Sequence, residues 1–127
     1  MLSEVMRTDF ITAAPEDTLG EVAEKMTALN VGSVVVKDFG TLVGILTERD
    51  LLKAMAARVH SSEARVRQFM TVDPVTAAPE MDCEEAEQLM LDSGFRHLPI
   101  VDGDDVLGVV SLRRVVAATK TAATSSS

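Results

Sequence analysis

The chain has 127 residues and a formal net charge of −8, from 12 basic and 20 acidic side chains. Its composition, 46% hydrophobic and 25% charged, is that of a folded globular protein and excludes a disordered chain. The acidic balance speaks against a nucleic-acid coat, and without tryptophan or tyrosine there is no usual stacking platform for single strands.

Cys83 is the only cysteine, so no internal disulfide framework supports the fold, which fits a reducing cytosol. No apolar run reaches the roughly 18 residues of a membrane span. Met1-Leu2-Ser3-Glu4 lacks the basic-then-apolar layout of a signal peptide. The expectation is a cytoplasmic protein with neither membrane nor nucleic acid as partner.

The two halves repeat. Ile11-Thr12-Ala13-Ala14-Pro15-Glu16 returns as Val75-Thr76-Ala77-Ala78-Pro79-Glu80, an offset of 64 positions. The same offset pairs Met6 with Met70, Asp9 with Asp73, Met26 with Met90, Asp38 with Asp102 and Gly44 with Gly108. Over residues 6–55 it needs no gap and gives 13 identities in 50 pairs, too sustained for chance.

In chain order, Thr12-Ala13, stopped by Pro15, suits a very short extended segment. A helix follows, with Thr18 and Glu21 as a capping box and Leu19, Val22, Ala23, Met26 and Leu29 as its apolar stripe. Asn30 ends it. Residues 33–37 and 42–46 are strands around the turn Asp38-Phe39-Gly40-Thr41. A helix from about residue 48 to 58 closes the half, a polar link covers 59–63, and a short helix over 64–69 opens the next half.

The second half reads alike. Thr76-Ala77 is stopped by Pro79, and a helix capped by Asp82 and Glu85 carries Cys83, Ala86, Leu89 and Met90 to a stop at Gly94. Strands at 97–101 and 106–110 flank the turn Asp102-Gly103-Asp104-Asp105. Pro99 inside the first of them predicts an edge, or a spot where no N–H is needed. The last helix spans 112–119. The fold class is α/β (α+β): two β-α-β-β-α repeats at 2–58 and 64–119, with a flexible tail at 120–127.

The doubled unit, Gly94-Phe-Arg-His-Leu-Pro-Ile-Val-Asp102, and Val43-Gly-Ile-Leu-Thr-Glu-Arg-Asp-Leu-Leu52 together resemble a cystathionine-β-synthase (CBS) domain pair. The resemblance covers about residues 2–119. It implies two half-domains packed pseudo-symmetrically through their sheets, clefts between them for AMP, ADP, ATP or S-adenosylmethionine, and association into a homodimer. No cofactor is required.

By that resemblance, Thr47 contacts phosphate and Asp50 takes both ribose hydroxyls. A helix start offers unpaired N–H groups to an anion, and a carboxylate can accept two hydrogen bonds from a vicinal diol. The same two residues serve equally as a plain helix cap, Thr47 at the N-cap and Asp50 at the third position. In the second half the stretch reads Ser111-Leu112-Arg113-Arg114, so Arg114 replaces the ribose-binding Asp and puts a second equivalent site in doubt. An arginine there is poor helix-start electrostatics, and either hints at a phosphate or carboxylate partner or is a solvated surface charge. Arg96 and His97 stand where the family's basic residues reach phosphate; the alternative is a surface arginine beside a half-buried histidine. Thr12, Ala13 and Val35 resemble the base pocket, and are as well read as core.

Other chemistries lack support. There is no GxxxxGK[ST] or GxGxxG loop, and His60, Cys83 and His97 are too dispersed for a zinc site. The expected function is a stand-alone regulatory module, not an enzyme, that senses an adenine nucleotide and signals by conformational change to an unidentified regulated protein. Its homodimer would bury the terminal helices where Leu51, Leu52, Met55, Val115 and Val116 recur. The rival readings are a ligand-free dimeric scaffold that kept the fold, and a small enzyme using Cys83 or His97.

Overall fold

Two antiparallel hairpins form where β-branched runs meet turn residues. The computed structural model describes residues 1–125, with side chains through Thr121. In the first hairpin, β2 (Ser33–Asp38) pairs with β3 (Thr41–Thr47). Phe39 and Gly40 turn the chain at φ 50° and 80°, the left-handed pair that a two-residue hairpin loop needs. β1 (Thr12–Ala13) joins β2 in parallel and β4 (Thr71–Val72) joins β3 antiparallel, giving the order β1-β2-β3-β4. Sheet residues Val34, Val36 and Leu46 pack with Leu19, Val22 and Met26 of α1 (Leu19–Leu29) and Ala54 of α2 (Glu48–Ala56).

The second hairpin joins β5 (His97–Asp102) to β6 (Asp105–Ser111). Its flanks are single bridges, Ala77 to Ile100 and Arg7 to Val109. Its core gathers Leu98, Ile100 and Val110 with Ala86 and Met90 of α3 (Cys83–Ser93), Val115 of α4 (Leu112–Ser125), Ala77 and Leu2. Both hairpins carry a β-bulge at the same repeat position, after Val36 and after Ile100.

Pro99 accounts for the loss of a strand on the β5 edge of the second sheet. In the first hairpin the Val35 N–H donates to the Ile11 carbonyl at 3.0 Å. Pro99 holds the equivalent place and has no N–H to give. Ala77 therefore keeps a bridge through its own N–H to the Pro99 carbonyl and its carbonyl from the Val101 N–H, at 3.1 and 2.9 Å, without extending into a strand.

The compact units do not coincide with the sequence repeats. One is continuous, Phe10–Pro74; the other is split, joining Met1–Asp9 to the chain from Val75 onward. Each unit is completed by a strap preceding a repeat's first extended segment. In the continuous unit the Val66 and Arg67 N–H groups donate to the Asp17 and Pro15 carbonyls; in the split unit Leu2 and Ser3 donate to Met81 and Pro79. The first strap packs against Gly44 and the second against Gly108. Arg7 Nε donates to Asp9 Oδ1 at 2.6 Å at the end of the second strap, and this bond holds the Asp9 carboxyl below its usual range.

Several expectations change in detail. The short helix expected at 64–69 is a 3₁₀ turn, Val66–Gln68. The polar link at 59–63 is part of the continuous unit, because the Ser61 and Ala64 carbonyls accept from the Gly20 and Leu19 N–H groups that open α1. Thr18 caps α1, with Oγ1 accepting the Glu21 N–H at 3.2 Å, whereas the Asp82 carboxylate makes no cap bond at α3. Asn30 and Gly94 end their helices in the left-handed conformation at φ 53° and 78°. The tail expected from residue 120 begins as helix, since α4 runs to Ser125. Its threonines bond backward, Thr119 to the Val115 carbonyl and Thr121 to Ala117, at 3.0 and 2.9 Å. Residues 126 and 127 of that expected tail lie outside the described residues.

A Cβ at Gly44 would stand 2.7 Å from Met70 Sδ and 2.8 Å from the Thr71 carbonyl oxygen. At Gly108 it would stand 2.8 Å from the Arg7 carbonyl oxygen and 2.9 Å from Met6 Sδ. The thioether can swing aside but the strap backbone cannot, so either Gly→Ala change forces the strap outward. Each is expected to cost about 1–3 kcal/mol in urea unfolding, and stability equal to wild type would refute the close approach.

Candidate functional site

The chemistry concentrates where each third strand turns into its unit's closing helix. In the continuous unit Ser33 pairs with Thr47, which places their side chains on one face of the sheet end. Thr47 is the N-cap of α2 and forms a reciprocal box with Asp50. The Thr47 N–H and Oγ1–H both donate to Asp50 Oδ2, at 2.8 and 3.1 Å, and the Asp50 N–H donates to Thr47 Oγ1 at 3.4 Å. The Glu48 N–H goes to the Gly32 carbonyl at 3.0 Å. Two of the first three amides of α2 are thus already used, and Glu48 and Asp50 put negative charge at its mouth. An anion gains little there.

Asp50 is only 8% exposed, yet all of its carboxylate bonds fall on Oδ2. Among the described residues no fully buried side-chain polar atom lacks a partner, so Oδ1 keeps contact with solvent. The result is a carboxylate held rigid by one oxygen and offering the other. The Thr47 hydroxyl proton is committed to Asp50, so a phosphate oxygen would have to compete with the cap for it.

The split unit repeats the backbone and changes the side chains. His97 pairs with Ser111, and the Leu112 N–H donates to the Arg96 carbonyl at 2.8 Å. Ser111 Oγ accepts the Arg114 N–H at 3.2 Å, a one-way cap because Arg114 has no acceptor to return. Arg96, Arg113 and Arg114 are exposed, and no carboxylate among the described residues pairs with any of them. His97 is half-buried.

Of the residues expected to form a base pocket, Thr12 is exposed on β1 and paired with Val35. Ala13 belongs to the core, and Val35 is fully buried between β1 and β3, paired with Ile45. The structure brings Thr47 together with Asp50, and His97 with Ser111; the first pair belongs to the continuous unit and the second to the split one. Cys83 is half-buried at the start of α3 and packs on its unit's core. Among the described residues no group of three His, Cys, Asp or Glu could hold a metal ion. No described helix is long and apolar enough to cross a membrane. The sequence sets Gly32 against Arg96 and places Glu48 beside Thr47 but gives neither a role; the structure shows that they set the backbone and charge of the α2 mouth.

The CBS domain model matches the chain twice, over residues 2–57 and 66–120. The chain belongs to the CBS-domain family. CBS domain-containing protein YhcV of Bacillus subtilis is 35% identical over 111 residues, 87% of this chain and 79% of that protein. A CBS-domain-containing protein of Agrobacterium tumefaciens has a solved structure with TM-score 0.81 at 33% identity, covering 88% of this chain and 90% of its own. A CBS domain pair solved with 5′-methylthioadenosine and S-adenosyl-L-methionine matches with TM-score 0.86 at 23% identity, covering 95% and 96%, a likeness of fold.

The two caps differ in their number of bonds, which is measurable. Thr47→Ala is expected to cost roughly 0.5–2 kcal/mol and Ser111→Ala less, because only the first breaks a reciprocal box. Equal losses in urea unfolding would contradict that ordering.

Proposed function

We propose that this CBS-domain chain is a regulatory module that binds an adenosine-containing ligand and passes the event to a partner protein by a change of conformation. The observation that carries the reading is Asp50: a largely buried carboxylate locked through Oδ2, with Oδ1 facing solvent as an acceptor for a ribose hydroxyl. Pre-ordering by Thr47 means little entropy is lost when the diol arrives. The family resemblance and the adenosine compounds held by a pair of the same fold support the ligand class. The ligand shifts the module only by its differential affinity for two states. A cytosolic setting goes with this reading, as does the lone cysteine.

Self-association is part of the proposal, with one revision of its surface. Leu52 and Met55 on α2 are 67% and 74% exposed and make an apolar stripe available to a second copy. Leu51 packs against its own core and Val115 is fully buried, so neither belongs to that surface. The alternative is a ligand-free dimeric scaffold, favoured by the fact that the Thr47–Asp50 box satisfies itself.

A thermal-shift and calorimetric panel of adenosine, AMP, ADP, ATP, NAD and S-adenosylmethionine separates the two readings. The sensor reading expects saturable stabilisation by at least one of them. Asp50→Asn keeps the shape of the box and removes the charge, and should weaken that ligand roughly 10- to 100-fold. No saturable response to any of the six leaves the scaffold.

A further inference from the structure

A thioether stands at each close approach of strap to strand. The Met70 sulfur beside Gly44 and the Met6 sulfur beside Gly108 fill the space that a β-carbon would take, 2.7 and 2.9 Å from its position. Both methionines are half-buried, packed on the core of their unit yet within reach of a small solute. In both straps the next residue begins the pairing with the third strand. Thr71 pairs with Ile45 and Val72 with Gly44. Arg7 exchanges two backbone hydrogen bonds with Val109, at 2.8 and 3.0 Å.

That placement makes the packing of each strap depend on the oxidation state of one sulfur. A thioether is apolar and adapts its shape, so it fills the gap beside a glycine. A sulfoxide carries an extra oxygen and is strongly polar. The glycine contact has no room for that oxygen, and the apolar core gives it no hydrogen bond. The modified side chain has to turn out into water, and the strap loses the packing that holds it down. The other methionines lie elsewhere on the scale of access. Met1 and Met55 are 53% and 74% exposed, whereas Met26 and Met90 are 5% and 0% exposed.

We propose that Met6 and Met70 are modification sites at which a hydroperoxide oxidises the thioether and releases the strap of each unit. The sulfur lone pair attacks the outer peroxide oxygen, forming an S–O bond as the O–O bond breaks. The proton on the transferred oxygen passes to the departing one, so the sulfur is oxidised to sulfoxide and the peroxide reduced to water or an alcohol. A thiol-dependent sulfoxide reductase reverses the step: two thiols become a disulfide and the sulfoxide oxygen leaves as water. The proposal is independent of any ligand in the unit.

Graded hydrogen peroxide on the full chain, followed by peptide mass mapping and thermal melting, tests the proposal. Met1 and Met55 should gain oxygen first, with little change in Tm. Modification of Met6 and Met70 should then lower Tm by roughly 3–8 °C. Met6→Leu/Met70→Leu, a swap of similar volume, should keep its Tm under the same treatment. Met81 and Cys83 are present in both proteins, so their oxidation cancels in the comparison. Hydrogen exchange on the single variants assigns each strap. In oxidised Met70→Leu the Arg7 and Val109 amides should exchange faster, while the Asp73 amide, bonded to the Val43 carbonyl at 3.1 Å, stays protected. Oxidised Met6→Leu should show the reverse, and these single variants carry the test if the double variant does not fold. Reduction of both sulfoxides by sulfoxide reductases with dithiothreitol should restore Tm. Met6 and Met70 left unmodified in the folded chain, modification without loss of Tm, or an equal loss in the double variant overturns the proposal. A loss that persists after both sulfoxides are reduced belongs to another lesion and overturns it too.

Discussion

The structure depends on how closely a strap passes over a strand. At Gly44 and Gly108 the neighbouring backbone comes so near that hydrogen is the only side chain that fits, with a methionine thioether filling the space beside it. The contact decides which segments belong together. It ties residues 66–72 to the β2–β3 hairpin and residues 2–7 to the β5–β6 hairpin, so that the strap preceding each repeat closes the unit built from the other. Once the strap is down, the third strand is held along both edges and its end is fixed. The helix start that follows inherits that fixed geometry.

Much of this was legible in the residues. The hairpins followed from β-branched runs and their turns, the helix ends from Asn30 and Gly94, and the doubling from the 64-residue offset. The identities Met6/Met70 and Gly44/Gly108 were visible too, but their meaning was not, because close approach between distant segments leaves no local periodicity. Unit boundaries were hidden for the same reason. Local patterns give an element's type; only packing says which unit completes it. The Asp82 cap failed differently: a good cap residue in cap geometry still left the α3 amides without its carboxylate.

At the site, sequence supplied the residue types and structure supplied their commitments. Thr47 and Asp50 could be named as a cap or as ligand contacts, and the structure shows the cap fully formed with one carboxylate oxygen left over. The two roles need not conflict, since the cap supplies the rigidity that a ligand contact uses. In the other unit the cap is one-sided, because a guanidinium cannot accept a hydrogen bond. A single substitution, Asp to Arg at the third helical position, therefore alters both the local stability and the chemistry on offer. Duplicated folds diverge easily in this way: the backbone amides and the hydroxyl keep the frame while the outward charge is free to change sign.

The split unit also imposes an order on assembly. Residues 1–9 leave the ribosome before the continuous unit, while the hairpin they complete is made after the whole of it. The continuous unit can close on its own strap across a short stretch of chain, and the strap of the split unit has to wait. Spanning from Met6 to Gly108 rather than from Met70 to Gly44 adds about 1 kcal/mol of loop-closure entropy for an unstructured chain. Early folding of residues 10–74 shortens that loop by ordering its middle. Until that hairpin is made Leu2, fully buried in the folded chain, has no core to enter, and that interval is when the chain is most open to mispairing with a second copy of itself.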